Sequence, residues 1–331
     1  MSAIAEQNAV AKTGTLSYLP VALFGSVMGL CGLAVAWRLA HQLYGAPEWT
    51  SQLIGAVAVL AFIALAISYA IKALTAFHTV RAEFHHPIAG NLFGTALISV
   101  LLLPILIAPY DLMLARAMWA VGAVGMTLFA WLIVSRWLQA RQLATHATPA
   151  WIVPLVGMLD VPLAVPALRW PEVHGVMMLG LAVGLFFAIP LFTMIMSRLL
   201  FEEPLPAAME PSLLILLAPF SVGYSAYVAT TGQIDAFAQA LYMLTLFVLV
   251  VLLGRLRHLR SCCPFRVSWW AVSFPLASAA TAALRHAGAA QNIVSDAIAV
   301  LLLAFATVVI VGLLLRTLAG VARGELKTLT S

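Results

Sequence analysis

Apolar residues run in long blocks along this chain, and short polar breaks separate them. Ten blocks approach or exceed the ~20 mostly apolar residues that a helix needs to cross a hydrocarbon layer. They are Pro20 to Leu39, Leu53 to Leu74, Pro87 to Ile107, Arg116 to Ile133, Trp151 to Leu168, Val176 to Met196, Pro211 to Thr230, Ala236 to Leu253, Val267 to Leu284 and Ile293 to Leu315. Backbone polar groups inside lipid must be satisfied within the segment, so the blocks predict helices and an all-α polytopic membrane protein. The breaks are too short for a soluble domain. The chain therefore divides into a tail over residues 1–18, a ten-helix domain over 19–319 and a second tail over 320–331. The first apolar block is too long for a signal-peptide core and has no convincing cleavage site, which predicts an uncleaved N-terminal tail.

The odd-numbered blocks begin near residues 20, 87, 151, 211 and 267, at spacings of 67, 64, 60 and 56. That regularity predicts one helical hairpin used five times, without sequence identity between the units. Proline separates the two members of each hairpin. Odd blocks carry or open with Pro20, Pro87, Pro104, Pro154, Pro162, Pro166, Pro211, Pro219 and Pro275, whereas even blocks hold only Pro190. A proline within a helix frees a carbonyl, that of Ala271 in the case of Pro275, placed here in the middle of the ninth helix. A free carbonyl is best tolerated against protein or a watery cavity, so the odd helices are expected to form an inner ring and the even helices an outer one.

Composition agrees with a membrane protein. Apolar residues make up 63% of the 331 and charged residues 9%, against roughly 45–50% apolar in soluble domains. The net charge of +5 would suggest nucleic acid in a soluble protein, but here Lys and Arg lie in short connections and set orientation. Thirteen fall on the side of the N-terminus and four on the other, which predicts ten spans with both termini cytoplasmic and no nucleic-acid partner. Cys31 and the adjacent Cys262-Cys263 form no disulfide framework and no zinc spacing.

The most polar stretch, His78 to Pro87, contains His85-His86. With no second histidine cluster, it reads as an interfacial loop in which Glu83 pairs with Arg81 and Pro87 opens the next helix. No G-x-S-x-G and no pair of intramembrane carboxylates occurs, so an enzyme is not expected, and neither a metal nor a cofactor is called for. Asp296 reads as a first-turn acid of the tenth helix. Asp160 is the acid set deep within a span, where ionisable groups are functional by default. Three roles stand open for it: turned away from the pore and paired, protonated, or coupling protons to a substrate.

The run Ser268-Trp269-Trp270-Ala271-Val272-Ser273-Phe274-Pro275 resembles the ninth helix of the tellurite-resistance/dicarboxylate transporter family. That family includes bacterial TehA-like proteins, fungal malate permeases and sulfite exporters, and plant guard-cell slow anion channels. Phe24-Gly25, Glu83 to Pro87 with Asn91, and Leu217-Ala218-Pro219 agree in order and placement, and the resemblance covers residues 18–320. It implies five helical hairpins around a pseudo-fivefold axis, a central pore lined by the odd helices, and a homotrimer with one pore per protomer. It also implies Phe274 as the pore gate, with Phe24, Gly25, Phe93, Phe220 and Pro275 as candidate pore-lining positions. The chain departs from the family at His86-Pro87-Ile88-Ala89, where an arginine often follows the His-Pro pair, and at Asp160.

The function so implied is an anion channel with an apolar pore, passing small inorganic or organic anions across a bacterial inner membrane. The alternative is a proton-coupled secondary transporter exporting an anion such as sulfite, malate or an oxyanion, with Asp160 as the coupling group.

Overall fold

The computed structural model of the protein describes residues 16–256 and 265–330. Lys12, Arg257, Arg260 and the Cys262-Cys263 pair lie outside the described residues. Among the described residues ten helical segments are long and apolar enough to cross a membrane. They are Val21–Tyr44, Glu48–Thr75, Ala89–Ile107, Leu112–Gln139, Pro149–Leu168, Pro171–Phe201, Ala207–Thr231, Ala236–Leu256, Val267–Ala290 and Ile293–Ala322. The protein is thus an all-helical, multi-pass membrane protein.

Several spans run past the bounds read from hydropathy. The second begins at Glu48 rather than Leu53, the fourth covers Leu112–Gln139 rather than Arg116 to Ile133, and the ninth continues to Ala290. Hydropathy stops at the first polar residue, but a helix continues into the interface, where Lys and Arg stems lie along apolar surface and lift their charges out. Local chemistry sets the ends. Asp111 accepts from the Leu114 N–H at 2.9 Å and Asn292 from the Ser295 N–H at 2.9 Å, so each caps an even span. Asp235 accepts from the Phe237 and Ala238 N–H groups at 3.0 Å each, and a hydrogen bond from the Tyr227 hydroxyl helps hold its carboxyl below the usual carboxylate range. Gly45 and Gly232 close odd spans at φ of 67° and 71°, a left-handed conformation that glycine adopts without strain.

Odd and even spans differ in kind. Each odd span opens as a 3₁₀ helix on the side of the described termini. The first, third, seventh and ninth then turn to α at Phe24, Gly94, Ala218 and Ser273, and the fifth alternates between 3₁₀ and α throughout. The even spans are α-helical along nearly their whole length. Within the apolar stretch of each odd span, 72, 61, 83, 78 and 83% of residues are buried, against 11, 39, 33, 39 and 28% in the even spans. The odd helices therefore form the interior and the even helices surround them.

The 3₁₀ segments correct the reading of the Phe274-Pro275 step. It does not kink the middle of an α-helix: 3₁₀ geometry covers Val267–Val272, α geometry covers Ser273–Ala290, and Pro275 sits in the first α turn. A missing N–H costs least there, because first-turn donors have no partner within their own helix. Pro219 opens the α part of the seventh span in the same way.

Close approach of the first and ninth spans depends on small residues. A Cβ at position 29 would collide with the Ser273 side chain. Ser273 instead bridges the two spans, donating to the Trp270 carbonyl at 2.7 Å and lying 3.2 Å from that of Gly25. Tryptophan ties inner spans to outer ones. Trp270 Nε1 donates to Thr317 at 2.9 Å and Trp119 Nε1 to the Val161 carbonyl at 2.8 Å.

The polar stretch before the third span is a short helix, Phe77–His85. Glu83 does not pair with Arg81, because residues two apart on a helix face different ways. It pairs with Lys72 at 2.6 Å and accepts from the Tyr69 hydroxyl and the Val21 N–H at 3.0 and 2.7 Å. Lys72 is 2% exposed and also donates to the Leu19 carbonyl at 2.7 Å, so this cluster fastens the start of the first span to the second.

Candidate functional site

Two chambers lie inside the helical interior. The larger, about 170 Å³, opens on the 3₁₀ ends of the odd spans; the smaller, about 50 Å³, lies toward their α ends. All five odd spans contribute to each. Met28, Ile98, Val156, Ile215 and Phe274 line the larger, and Gly32, Ile105, Leu163, Ser225 and Thr281 line the smaller. Among the described residues no even span reaches either wall.

Two residues, Val222 and Phe274, border both chambers, so they occupy the boundary between them. The Phe274 side chain is 7% exposed and lies against the first span, where glycine leaves room for its ring. A Cβ at position 32 would come within 3.5 Å of that ring and 2.8 Å of the Ala277 Cβ. Gly25 and Pro275 line the larger chamber beside Phe274.

Phe24, Phe93 and Phe220 line neither chamber. Phe24 packs edge-on against Phe62 and Tyr69 at centroid distances of 5.9 and 6.2 Å. Phe93 meets Tyr69 and Phe84 at 6.1 and 5.0 Å, and Phe220 meets Phe192 at 5.5 Å. Helical geometry accounts for this: adjacent residues point about 100° apart in α and about 120° apart in 3₁₀ geometry, so where Gly25 and Leu92 face the chamber, Phe24 and Phe93 turn from it.

Asp160 lines the larger chamber and is 2% exposed. Among the described residues its Oδ1 has no hydrogen-bond partner. It is therefore not turned away from the chamber and paired. The remaining wall of that chamber is largely apolar, with Thr95, Ser212 and Ser268 as its hydroxyls. Asp296 lies in the first turn of the tenth span, as expected, and accepts from the Tyr44 hydroxyl at 2.7 Å.

The smaller chamber contains a charge that hydropathy does not place there. Arg285, which reads as a loop residue beyond a helix ending at Leu284, lies inside the ninth span and lines this chamber. A signal was present in the spacing: Phe274, Ser278, Thr281 and Arg285 fall at i, i+4, i+7 and i+11, one face of a helix of about 3.6 residues per turn. All four border the chamber. No group of three or more His, Cys, Asp or Glu suited to a metal occurs among the described residues.

Residues 18–318 match the family described as SLAC1, voltage-dependent anion channel. The S-type anion channel SLAH3 of Arabidopsis thaliana is 27% identical over 90% of this chain and 48% of its own length. The guard cell S-type anion channel SLAC1 of the same plant is 25% identical over 90% of this chain and 55% of its own. The chain thus spans about half the length of these plant relatives. A tellurite resistance protein TehA homolog from Haemophilus influenzae is 27% identical over 93% of this chain and 92% of its own length. With five proline-rich inner spans, five continuous outer ones and a match along nearly its whole length, the chain belongs to the SLAC1 voltage-dependent anion channel family.

Proposed function

We propose that this protein is an anion channel whose pore passes through both chambers, with Phe274 as its gate. One observation carries the assignment: two chambers, each walled by all five odd spans, meet at Phe274 and Val222. An aromatic ring at such a junction closes a narrow path sterically and by excluding water. The ten spans are taken as five helical hairpins around a pseudo-fivefold axis, and Gly25 and Pro275 as pore-lining. Phe24, Phe93 and Phe220 brace the pore wall from behind. By the excess of Lys and Arg on one side, both termini face the cytoplasm, with residues 1–18 and 320–331 as tails. Assembly as a homotrimer in a bacterial inner membrane completes the proposal.

An apolar pore selects by the cost of dehydration, which favours weakly hydrated monovalent anions, and conduction needs binding weak enough to release them. The test is Phe274→Ala in liposomes, which is expected to raise chloride flux at least about tenfold, as a steric barrier of roughly 1.4 kcal/mol or more is removed. Flux equal to wild type would overturn the gate.

A second reading, proton-coupled anion transport, draws on the position of Asp160. An ionised carboxylate about 4 Å from a passing anion would repel it by roughly 4 kcal/mol at an effective dielectric near 20. Passage is therefore favoured when Asp160 carries a proton, and that proton can travel with the anion. Uphill anion flux driven by a proton gradient marks this transporter; flux that follows membrane potential alone marks the channel.

A further inference from the structure

We propose that the smaller chamber, beyond Phe274 from the described termini, is a binding site for a small, planar, monovalent oxyanion held by the guanidinium of Arg285. The proposal rests on the channel reading and adds to it the residue that sets anion preference. Arg38, Arg116 and Arg169 share that side of the molecule. Arg38 donates to the Ile105 carbonyl at 2.9 Å, and Arg116 to the Leu168 and Arg169 carbonyls at 3.1 and 2.8 Å. Arg169 is exposed. Arg285 differs from all three: it lines the chamber, its Nε is shielded from solvent, and among the described residues it makes no hydrogen bond or ion pair. Arg285 is half-buried, and a guanidinium whose Nε is shielded and without an acceptor carries a desolvation cost that an anion from the chamber would offset.

The surrounding groups fit the same ligand. Ser225 is 3% exposed with an unpartnered Oγ, and the Thr281 hydroxyl makes no hydrogen bond among the described residues. Both are available as donors. Ser278 Oγ lies 2.9 Å from the Pro275 carbonyl and 2.7 Å from Ser221 Oγ, which fixes its orientation on the same wall. Among the described residues no carboxylate lines this chamber. Its volume of about 50 Å³ exceeds the ~10–15 Å³ that one water requires, leaving room for an ion of a few heavy atoms. Arginine presents donors in a planar fork that matches a planar oxyanion in two-point contact, whereas a spherical halide takes one point at a time.

Anion binding by the purified full-length protein in detergent tests this directly, read as saturable thermal stabilisation by nitrate, formate or chloride at constant ionic strength. Wild type is expected to saturate with nitrate and formate at lower concentrations than with chloride. Arg285→Gln should raise the half-saturating nitrate concentration about tenfold or more, since a charge-assisted hydrogen bond is removed. Arg285→Lys, which keeps the charge and loses the fork, should abolish the preference for nitrate over chloride. Thr281→Val should weaken nitrate a few-fold by loss of one neutral donor. If Arg285→Gln does not fold, the Lys and Val variants decide the matter. Nitrate curves for these variants superimposed on wild type, or a nitrate preference retained by Arg285→Lys, would overturn the site. Phe274→Ala liposomes separate the two ideas. Intact Arg285-dependent binding without flux refutes the channel alone, and flux with Arg285-independent binding refutes the site alone.

Discussion

At the scale of single residues, the pair Lys72–Glu83, with side chains 2% and 13% exposed, is a structural commitment outside the chambers. Lys72 is 2% exposed, and the Glu83 carboxylate 2.6 Å away and the Leu19 carbonyl at 2.7 Å supply the acceptors that its buried ammonium needs. Glu83→Gln leaves the ammonium without its counter-charge and is expected to destabilise the protein by about 3–5 kcal/mol, read by thermal unfolding in detergent. The double change Lys72→Met, Glu83→Leu should recover most of that loss, because removing both charges removes the desolvation penalty. A single variant as stable as wild type would contradict the assignment. The partner of Glu83 could not be read from its neighbours in sequence, because the pairing lysine lies on the preceding span. Asp160 and Phe274, by contrast, stand out in the chain itself, one as an acid deep in an apolar block and the other beside a proline.

At the scale of elements, the two kinds of span should tolerate change differently. Ala280 is 0% exposed in the ninth span, while Leu301 is 68% exposed on the outside of the tenth. Ala280→Leu is expected to cost about 1–3 kcal/mol through overpacking. Leu301→Ala should stay within about 0.5 kcal/mol, since the lipid-facing side chain has few protein neighbours to lose. Equal melting shifts for the pair would count against the inner and outer assignment. Proline count by parity had already sorted the spans, because proline is poorly placed in a helix bonded to itself and facing lipid. What it did not foretell is that each odd span would open in 3₁₀ form. That geometry is weak in isolation and persists where surrounding helices hold it, so it belongs to packing rather than to local preference.

For the whole molecule, proton coupling can be tested at Asp160, which lines the larger chamber. If protons travel with the anion, Asp160→Asn should abolish the pH dependence of flux in liposomes; an unchanged pH profile would dispose of the transporter. The sequence alone determined that the chain crosses a membrane, with ten helices, alternating in proline content and biased in charge. These properties depend on one-dimensional patterns: the length of apolar blocks, the spacing of their starts and the distribution of Lys and Arg. Only the tertiary structure decided which side chains meet. It set Phe274 between two chambers, turned Phe24, Phe93 and Phe220 onto aromatic neighbours, brought Lys72 to Glu83, and drew Arg285 from an apparent loop into the wall of a cavity. Each of these depends on where a helix face points once ten helices share one interior, and that orientation is fixed by neighbours far away in the chain.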